Sequence, residues 1–318
     1  MRIVTYNLRY DSQPDNISVQ KSLNSLEDPL QKPHFLAFSG KEQPWSKRRV
    51  LVAQQLLGEG IAVAGFQEAL IRQVNDLAEL FGSDWSWVGV GREDGIKSGE
   101  FCPIFFKKSE INLISHDSFW LSNTPFAPSK FPGASSFRVC TAAHFTSQLT
   151  AEKKQFTILN THLDDWSDAQ RKLGASMLLA RARYEAVKTS SPVFITGDFN
   201  SPSSGKDSGA YDIITGAAPP VPIDPAFAAK YAVEPDQLPG FRMLDLRGEA
   251  PRRGVSATYA TFTGFTAPSH TASWSRIDFV FGGSNKGWEA LGQSVMANLS
   301  DDGLLASDHR PVFTDVSI

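Results

Sequence analysis

Hydrophobic and polar positions along this chain repeat with two periods. Residues 3–8, Ile3-Val4-Thr5-Tyr6-Asn7-Leu8, alternate at every second position, the pattern of a strand. Residues 61–66 are an uninterrupted apolar run of strand length, which suits a strand buried on both faces. Residues 44–57 read as a helix: Pro44 stands near the start, Val50, Ala53, Gln54 and Leu57 follow at helical spacing, and Gly58 ends it. Residues 69–81 place Leu70, Val74, Leu77, Leu80 and Phe81 on one helical stripe, stopped by Gly82. Further strands are predicted at 85–90, 100–106, 112–120, 137–145, 155–162, 193–199, 244–246, 277–281 and 312–316. The longest helix is predicted at 168–188, with Leu173, Met177, Ala180 and Tyr184 facing the core.

Two stretches break this rhythm. Residues 11–43 are polar and too long for an ordinary connection, and read as an insertion that covers a site. Residues 215–240 are rich in Pro and Ala, with Pro219, Pro220, Pro222 and Pro225 close together, and read as a surface loop. Strands resume after it, so it is an excursion rather than a linker, and both insertions are placed to narrow a pocket. No internal repeat is present.

Composition changes the picture only modestly. With 41% hydrophobic residues, 318 positions can bury a large core. The 34 acids outnumber 31 bases for a formal net charge of -3, so broad electrostatic capture of duplex DNA is not expected. Lys107-Lys108, Lys153-Lys154 and Arg252-Arg253 are short and dispersed and make no basic stripe. Cys102 and Cys140 each lie in a strand-like apolar stretch and are expected as buried thiols, able to pair only if their strands are neighbours. No apolar run approaches the ~20 residues that span a bilayer. The first strand begins at once, leaving no room for the apolar segment of a signal peptide, so a cytoplasmic protein is expected, with secretion the alternative where a signal peptide has been removed, and with a monomer as the default.

The polar residues that matter punctuate strand ends, where loops open from a sheet. Asn7 ends the first strand and Glu68 the second. His162 and Asp164 follow the 155–162 strand, and Asp198 and Asn200 close the next one. Asp278 lies in Arg276-Ile277-Asp278-Phe279, and Asp308-His309 precede the last strand. Singly, each has an ordinary reading as a cap, a turn former or a hydrogen-bonded structural residue. Together they supply oxygen ligands for a hard cation, a carboxylate to orient water, and histidines to meet a phosphoryl group.

The ordered set Asn7, Phe66-Gln67-Glu68, Thr161-His162-Leu163-Asp164, Gly197-Asp198-Phe199-Asn200-Ser201, Arg276-Ile277-Asp278 and Ser307-Asp308-His309-Arg310-Pro311-Val312 resembles the endonuclease/exonuclease/phosphatase superfamily. The likeness spans residues 3–316. Pro44-Trp45-Ser46-Lys47-Arg48-Arg49 and Gly99-Glu100-Phe101 are similar to its broad bacterial and fungal metal-dependent hydrolase branch. The resemblance implies a DNase I-like α/β fold: a four-layer sandwich in one domain over 1–318, two mixed β-sheets face to face with helices outside. It implies Mg²⁺ or Mn²⁺ at the strand-end cleft, with Glu68 the principal ligand, Asn7 beside it and Asp308 a second-site ligand. Asp198 would orient the water and Asn200 bind the phosphate. His309, held by Asp278, would serve as base or phosphate donor. His162, oriented by Glu100, would stabilise the transition state or protonate the leaving oxygen. The division of labour between Asp198 and His309 stays open.

Further candidates for substrate contact are Arg138 and Arg171, with Arg276, as phosphate clamps, and Trp166, Phe265 and Trp274 as stacking or lining groups. The leading expectation is a metal-dependent phosphodiesterase acting on a nucleic acid or nucleotide. The alternative is a phosphomonoesterase or phospholipid-head-group hydrolase on the same centre. A binding protein that lost catalysis is disfavoured, since every expected position is filled. A serine hydrolase lacks its Gly-x-Ser-x-Gly elbow.

Overall fold

A computed structural model of the chain describes residues 1–32, 38, 40–149, 152–267 and 269–318. Strands β1 (Arg2–Asn7), β2 (Val63–Gln67), β3 (Trp85–Val88) and β4 (Ile104–Lys107) belong to one sheet. The second sheet holds β5 (Ile111–Trp120), β6 (Val139–Ser147), β7 (Gln155–His162), β8 (Val193–Asp198), β9 (Met243–Asp245) and β10 (Asp278–Gly283). The chain then returns to the first sheet with β11 (Glu289–Val295) and β12 (Val312–Ser317). The strand orders are β11-β12-β1-β2-β4-β3 and β5-β6-β7-β8-β10-β9. Each sheet carries a single parallel pair at its centre, β1 with β2 and β7 with β8.

Alternation along β1 assigns its two faces. Ile3 points between the sheets, into a cluster with Val63, Phe145, Phe156 and Val312, while Val4 and Tyr6 point outward. Helices α1 (Val19–Asn24), α2 (Trp45–Gly58) and α3 (Ile71–Phe81) lie on the side of the first sheet, where Trp45, Val52, Leu56, Val74 and Leu77 cover Val4, Tyr6 and Phe66. Helices α4 (Asp168–Thr189), α5 (Gly209–Thr215) and α6 (Pro225–Lys230) cover the second sheet through Leu173, Met177, Leu178, Ile213 and Phe227. A short α7 (Leu246–Glu249) follows β9. The result is two mixed six-stranded sheets packed face to face and flanked by helices.

Several boundaries differ from the sequence pattern. The 100–106 run gives a strand only from Ile104, because Pro103 has no N–H for a ladder, and Cys102 therefore lies in the loop. Both cysteines are buried and free. In α2 the buried apolar positions are Trp45, Val50, Val52, Ala53 and Leu56, and Leu57 is exposed, because Arg48 and Arg49 occupy inward positions. Within residues 11–43, α1 is capped by the Ser18 hydroxyl, and the Ser22 hydroxyl donates to the Ser46 carbonyl of α2 at 2.7 Å. The 215–240 stretch lies against α4, where Val221 N donates to Ser176 Oγ and Arg183 reaches the Gln237 carbonyl. It adds no residue to the cleft described below, contrary to the expectation that it narrows one. Among the described residues, no helix is long and apolar enough to cross a membrane.

Candidate active site

Strand register brings the polar strand ends together. On the parallel pair β7/β8, His162 stands opposite Asp198, and on the antiparallel pair β8/β10, Asp278 stands opposite Asp198. On β1/β2, Asn7 is registered with Gln67, and Glu68 leaves the strand at φ 58°. Arg9 and Asn200 also have positive φ, at 56° and 46°. Three residues in the left-handed region, none of them glycine, therefore line one cavity of about 770 Å³, a concentration typical of sites whose surroundings enforce strain.

Asp308 and His309 arrive on the loop before β12. Ser307 Oγ donates to the Asn7 carbonyl at 2.7 Å and accepts from His309 N at 3.2 Å. Asn298 Nδ2 donates to the carbonyls of Ser307 and His309. Arg48, 1% exposed, donates to the carbonyls of Leu8, Arg9 and Ala306 at 2.6, 3.0 and 2.9 Å. One buried guanidinium thus holds the loop after Asn7 against the loop before Asp308.

Asp198 sits at the centre. Its Oδ2 accepts from Asn7 Nδ2 at 2.9 Å and lies 3.5 Å from His309 Nε2 and 3.6 Å from His162 Nε2. Its Oδ1 accepts from the Asn200 backbone at 2.9 Å. His309 Nδ1 is 2.9 Å from Asp278 Oδ2, and Phe262 packs edge-on against the ring at 5.0 Å between centroids. His162 Nε2 is 3.0 Å from Asn200 Nδ2, which also donates to the Leu163 carbonyl.

The two histidines carry different charges. Burial works against the cation on His309, but the carboxylates of Asp278 and Asp198 prevail and push its pKa up to about 10. Burial, with Arg138 and Arg92 nearby, holds His162 well below its ordinary value, so it is neutral. Burial and then Asp278 raise Asp198 to about 7. Burial, opposed mainly by Arg92, raises Glu100 to about 7.

Glu100 lines the cavity, but its carboxylate forks onto Arg92 at 2.7 and 2.8 Å and stays 4.0 Å from His162 Nδ1. No hydrogen bond joins Glu100 to His162, and Asn200 holds the ring instead. Arg138, Trp166 and Arg171 line the cavity. Phe265 and Trp274 do not. Trp274 stacks under Arg310 at 4.4 Å in a separate groove, because Ser273 and Ser275 turn to the cleft on either side of it. Arg276 pairs with Asp245 at 2.6 Å, also away from the cavity. Arg9, Tyr10, Arg92 and Phe262 line it without having been singled out by the sequence pattern. For Arg92, the glycine-punctuated run from Gly91 to Glu100 was the available signal.

Glu68, Asp198, Asp278 and Asp308 converge on this centre. Glu68 Oε1 accepts from Asn7 Nδ2 at 2.9 Å, while Asn7 Oδ1 accepts from Arg9 N. Burial, with Glu68 nearby and only partly offset by His309, raises the Asp308 pKa. Four carboxylates in one place, Asp198 and Asp278 of them buried, are an electrostatic burden that a cation relieves, and oxygen donors fit a hard divalent ion. Asp198, Asp278 and His309 also offer three ligand atoms within 4.8 Å of one another. There the imidazole faces Asp278 Oδ2 through Nδ1 at 2.9 Å and Asp198 Oδ2 through Nε2 at 3.5 Å.

The sequence profile of the Endonuclease/Exonuclease/phosphatase family matches residues 4–309. The chain belongs to that family. Among curated proteins, none matches the sequence. An endonuclease/exonuclease/phosphatase structure from Bacteroides vulgatus is 26% identical, with 100% of this chain and 98% of that one aligned and a TM-score of 0.74. A mannosyl-6-phosphatase from Bacteroides thetaiotaomicron is 23% identical over 100% of both chains, at a TM-score of 0.72. D. rerio TDP2, complexed with a single-strand DNA product, shares the fold at 15% identity, covering 100% and 99%, at a TM-score of 0.61. The sandwich of two mixed sheets is thus the DNase I-like fold of the Endonuclease/Exonuclease/phosphatase family. Its members hydrolyse phosphate esters and generally use divalent metals.

Proposed function

We propose that this chain is a divalent-metal-dependent hydrolase of small phosphate esters. The observation that carries the reading is Asp198 placed between a cationic and a neutral histidine, facing a second group of carboxylates. Glu68 and Asp308, with Asn7 beside them, would hold Mg²⁺ or Mn²⁺. The bound ion supplies positive charge to phosphoryl oxygens and acidifies water. Asp198 takes the proton of the attacking water, its carboxyl set near neutral pH by burial and by Asp278. His309, fixed by Asp278, donates from Nε2 to the charge that develops on the phosphoryl group. His162 is neutral and its Nε2 accepts from Asn200 Nδ2, so the hydrogen bond it can donate comes from Nδ1. The proton that Asp198 takes is the one the leaving oxygen needs, so the hydrolysis balances without an acid role for Glu100, whose carboxylate is forked onto Arg92 at 2.7 and 2.8 Å.

A cavity of about 770 Å³ accommodates a small ester, and a mannosyl-6-phosphatase shares the whole fold, which supports a phosphomonoester as first substrate class. Single-stranded nucleic acid is the second reading. It is favoured by Trp166, 82% exposed beside the cavity, where an indole can stack a base, and by the DNA-product complex of TDP2.

A Mg²⁺ and Mn²⁺ activity panel tests the reading, using p-nitrophenyl phosphate, bis-p-nitrophenyl phosphate, single- and double-stranded DNA, and RNA. Turnover lost on chelation, restored by metal and highest on the monoester is the expected result. Glu68→Ala should abolish it, and unchanged metal dependence in that variant would refute the metal assignment. His162→Ala and His309→Ala should each lower kcat by about 10²–10⁴ with little change in Tm.

A further inference from the structure

The wall of the cavity beyond His162 is built from the segment that follows it in sequence. Asp165, Trp166 and Arg171 line the cavity there, joined by Ser135, Arg138 and Asp207. A leaving group on the His162 side of the phosphorus must meet this wall.

Its charges are already matched. Arg138, 4% exposed, donates to Asp164 at 3.2 Å and to Asp165 at 2.6 Å. Arg171, also 4% exposed, donates to the Asp164 carbonyl at 3.0 Å and pairs with Asp168 at 3.3 Å and Asp207 at 3.5 Å. Lys172 pairs with Asp168 at 2.8 Å. Two arginines and one lysine therefore face four carboxylates, Asp164, Asp165, Asp168 and Asp207. No positive charge is left over for a second phosphate or a carboxylate, so the arginines are not the phosphate clamps that their residue type suggested.

What the wall does offer is donors and acceptors side by side. The Ser135 hydroxyl and the side chains of Arg138 and Arg171 line it. Asp165 and Asp207 are open acceptors, with side chains 60% and 47% exposed. A hydroxyl group both donates and accepts, whereas an anion only accepts. Trp166 adds an apolar face. Its backbone N–H and that of Ser167 are held by Asp164 Oδ1 at 3.1 and 2.7 Å, which fixes the base of an indole that is itself 82% exposed. An aromatic face kept in water beside a cleft is available to the C–H surface of a ligand.

Resting on the small-ester reading above, we propose that this wall is the subsite for an uncharged polyhydroxyl leaving group, such as a sugar or a polyol. Asp165, Asp207 and Ser135, held in place by Arg138 and Arg171, would hydrogen-bond its hydroxyls, and Trp166 would cover its C–H face. These are specificity residues and take no part in the bond that breaks.

The test measures kcat/KM of the full chain with Mg²⁺ on hexose monophosphates, glycerol phosphate, a simple alkyl phosphate, a hexose bisphosphate and p-nitrophenyl phosphate. The wild type should prefer polyol monophosphates over the alkyl ester and the bisphosphate. In Trp166→Ala, Asp165→Asn and Asp207→Asn, all at solvent-exposed positions, the hexose-to-nitrophenyl ratio of kcat/KM should fall about 10-fold or more, mainly through KM. Trp166→Phe should retain most of the preference. Ratios that stay constant in all three variants, or a wild-type preference for the bisphosphate, would overturn the subsite. Nitrophenyl ester hydrolysis separates the two ideas: its absence in the wild type defeats the phosphoesterase reading, and its presence without polyol preference defeats only the subsite.

Discussion

Arg48 shows how much of the site depends on one residue that never meets substrate. Its guanidinium is buried and reaches the carbonyls of Gln43, Leu8, Arg9 and Ala306, of which Arg9 also accepts from Gln73 Nε2. Truncation removes the guanidinium donor from the carbonyls of Gln43, Leu8 and Ala306 and opens a cavity. Arg48→Ala should therefore cost about 3–5 kcal/mol, read as a lower midpoint in chemical denaturation. Arg48→Lys should recover little, since a single ammonium cannot replace a planar fork serving several carbonyls. Asp164 gives a pH-dependent counterpart. Burial raises its pKa, but the Ser167 N–H, Ser135 and Arg138 outweigh that and bring it down to about 2. A carboxyl depressed in the folded state stabilises above its unfolded value of about 3.9, and that contribution fades as pH falls toward 2. The Tm gap between wild type and Asp164→Asn should be widest near pH 6 and shrink steadily below pH 4. A gap that is constant across this range would show that the carboxylate charge is not what matters.

Among the elements, the pair β7/β8 sets the distance between His162 and Asp198, and glycine makes that pairing close. A Cβ on Gly197 would lie 2.4 Å from the Thr161 carbonyl oxygen, which is backbone and cannot swing aside. Gly197→Ala should force the two strands apart next to both catalytic candidates. The expected outcome is a loss of about 1–3 kcal/mol in stability and a fall in kcat of at least about 10-fold, measured on p-nitrophenyl phosphate. Gly65 plays the same part between the sheets, where its missing Cβ leaves room for Thr196 and Asn160. Asn160 there accepts from Gln67 Nε2 at 2.7 Å and donates to the Phe66 and Pro103 carbonyls at 2.8 and 2.9 Å. These elements were legible to very different degrees. Apolar runs such as 193–199 and 155–162 announce buried strands because nothing else accommodates so many β-branched and aromatic residues. β11, Glu-Ala-Leu-Gly-Gln-Ser-Val, escapes notice because its pairing with β12 and a bulge between Ala290 and Gly292 hold it, not its own pattern. The inward face of α2 was misjudged because two of its core positions are arginines, whose burial is decided by distant carbonyls. The site residues at strand ends were legible as an ordered set. Phe262 and Arg92 were not, since loops from other parts of the chain bring them to the cleft, and Trp274 was credited with a place that its neighbours Ser273 and Ser275 hold.

At the scale of the whole molecule, charge and topology together decide what the cleft can attract. The two sheets bring segments from Asn7 to His309 to one edge, so the carboxylates of the site are concentrated while the chain as a whole carries only -3. Arginines gather there too, yet Arg92 is forked by Glu100, Arg138 by Asp164 and Asp165, and Arg171 by Asp168 and Asp207. A cation bound at Glu68 and Asp308 would therefore be the main source of uncompensated positive charge for a phosphate. Duplex DNA recognition works otherwise: many lysines and arginines displace counterions along a backbone, and affinity falls steeply with salt. With the cleft arginines already paired, this protein should bind duplex DNA only weakly, with little affinity left at physiological ionic strength and a shallow slope of log K against log salt. Fluorescence anisotropy with a labelled duplex, titrated between 50 and 200 mM salt without divalent metal so that cleavage does not intervene, measures both quantities. Tight binding at physiological salt, or a slope equivalent to many neutralised phosphates, would mean that a cationic surface outside the cleft carries the interaction, and would return nucleic acid to the first place among substrates.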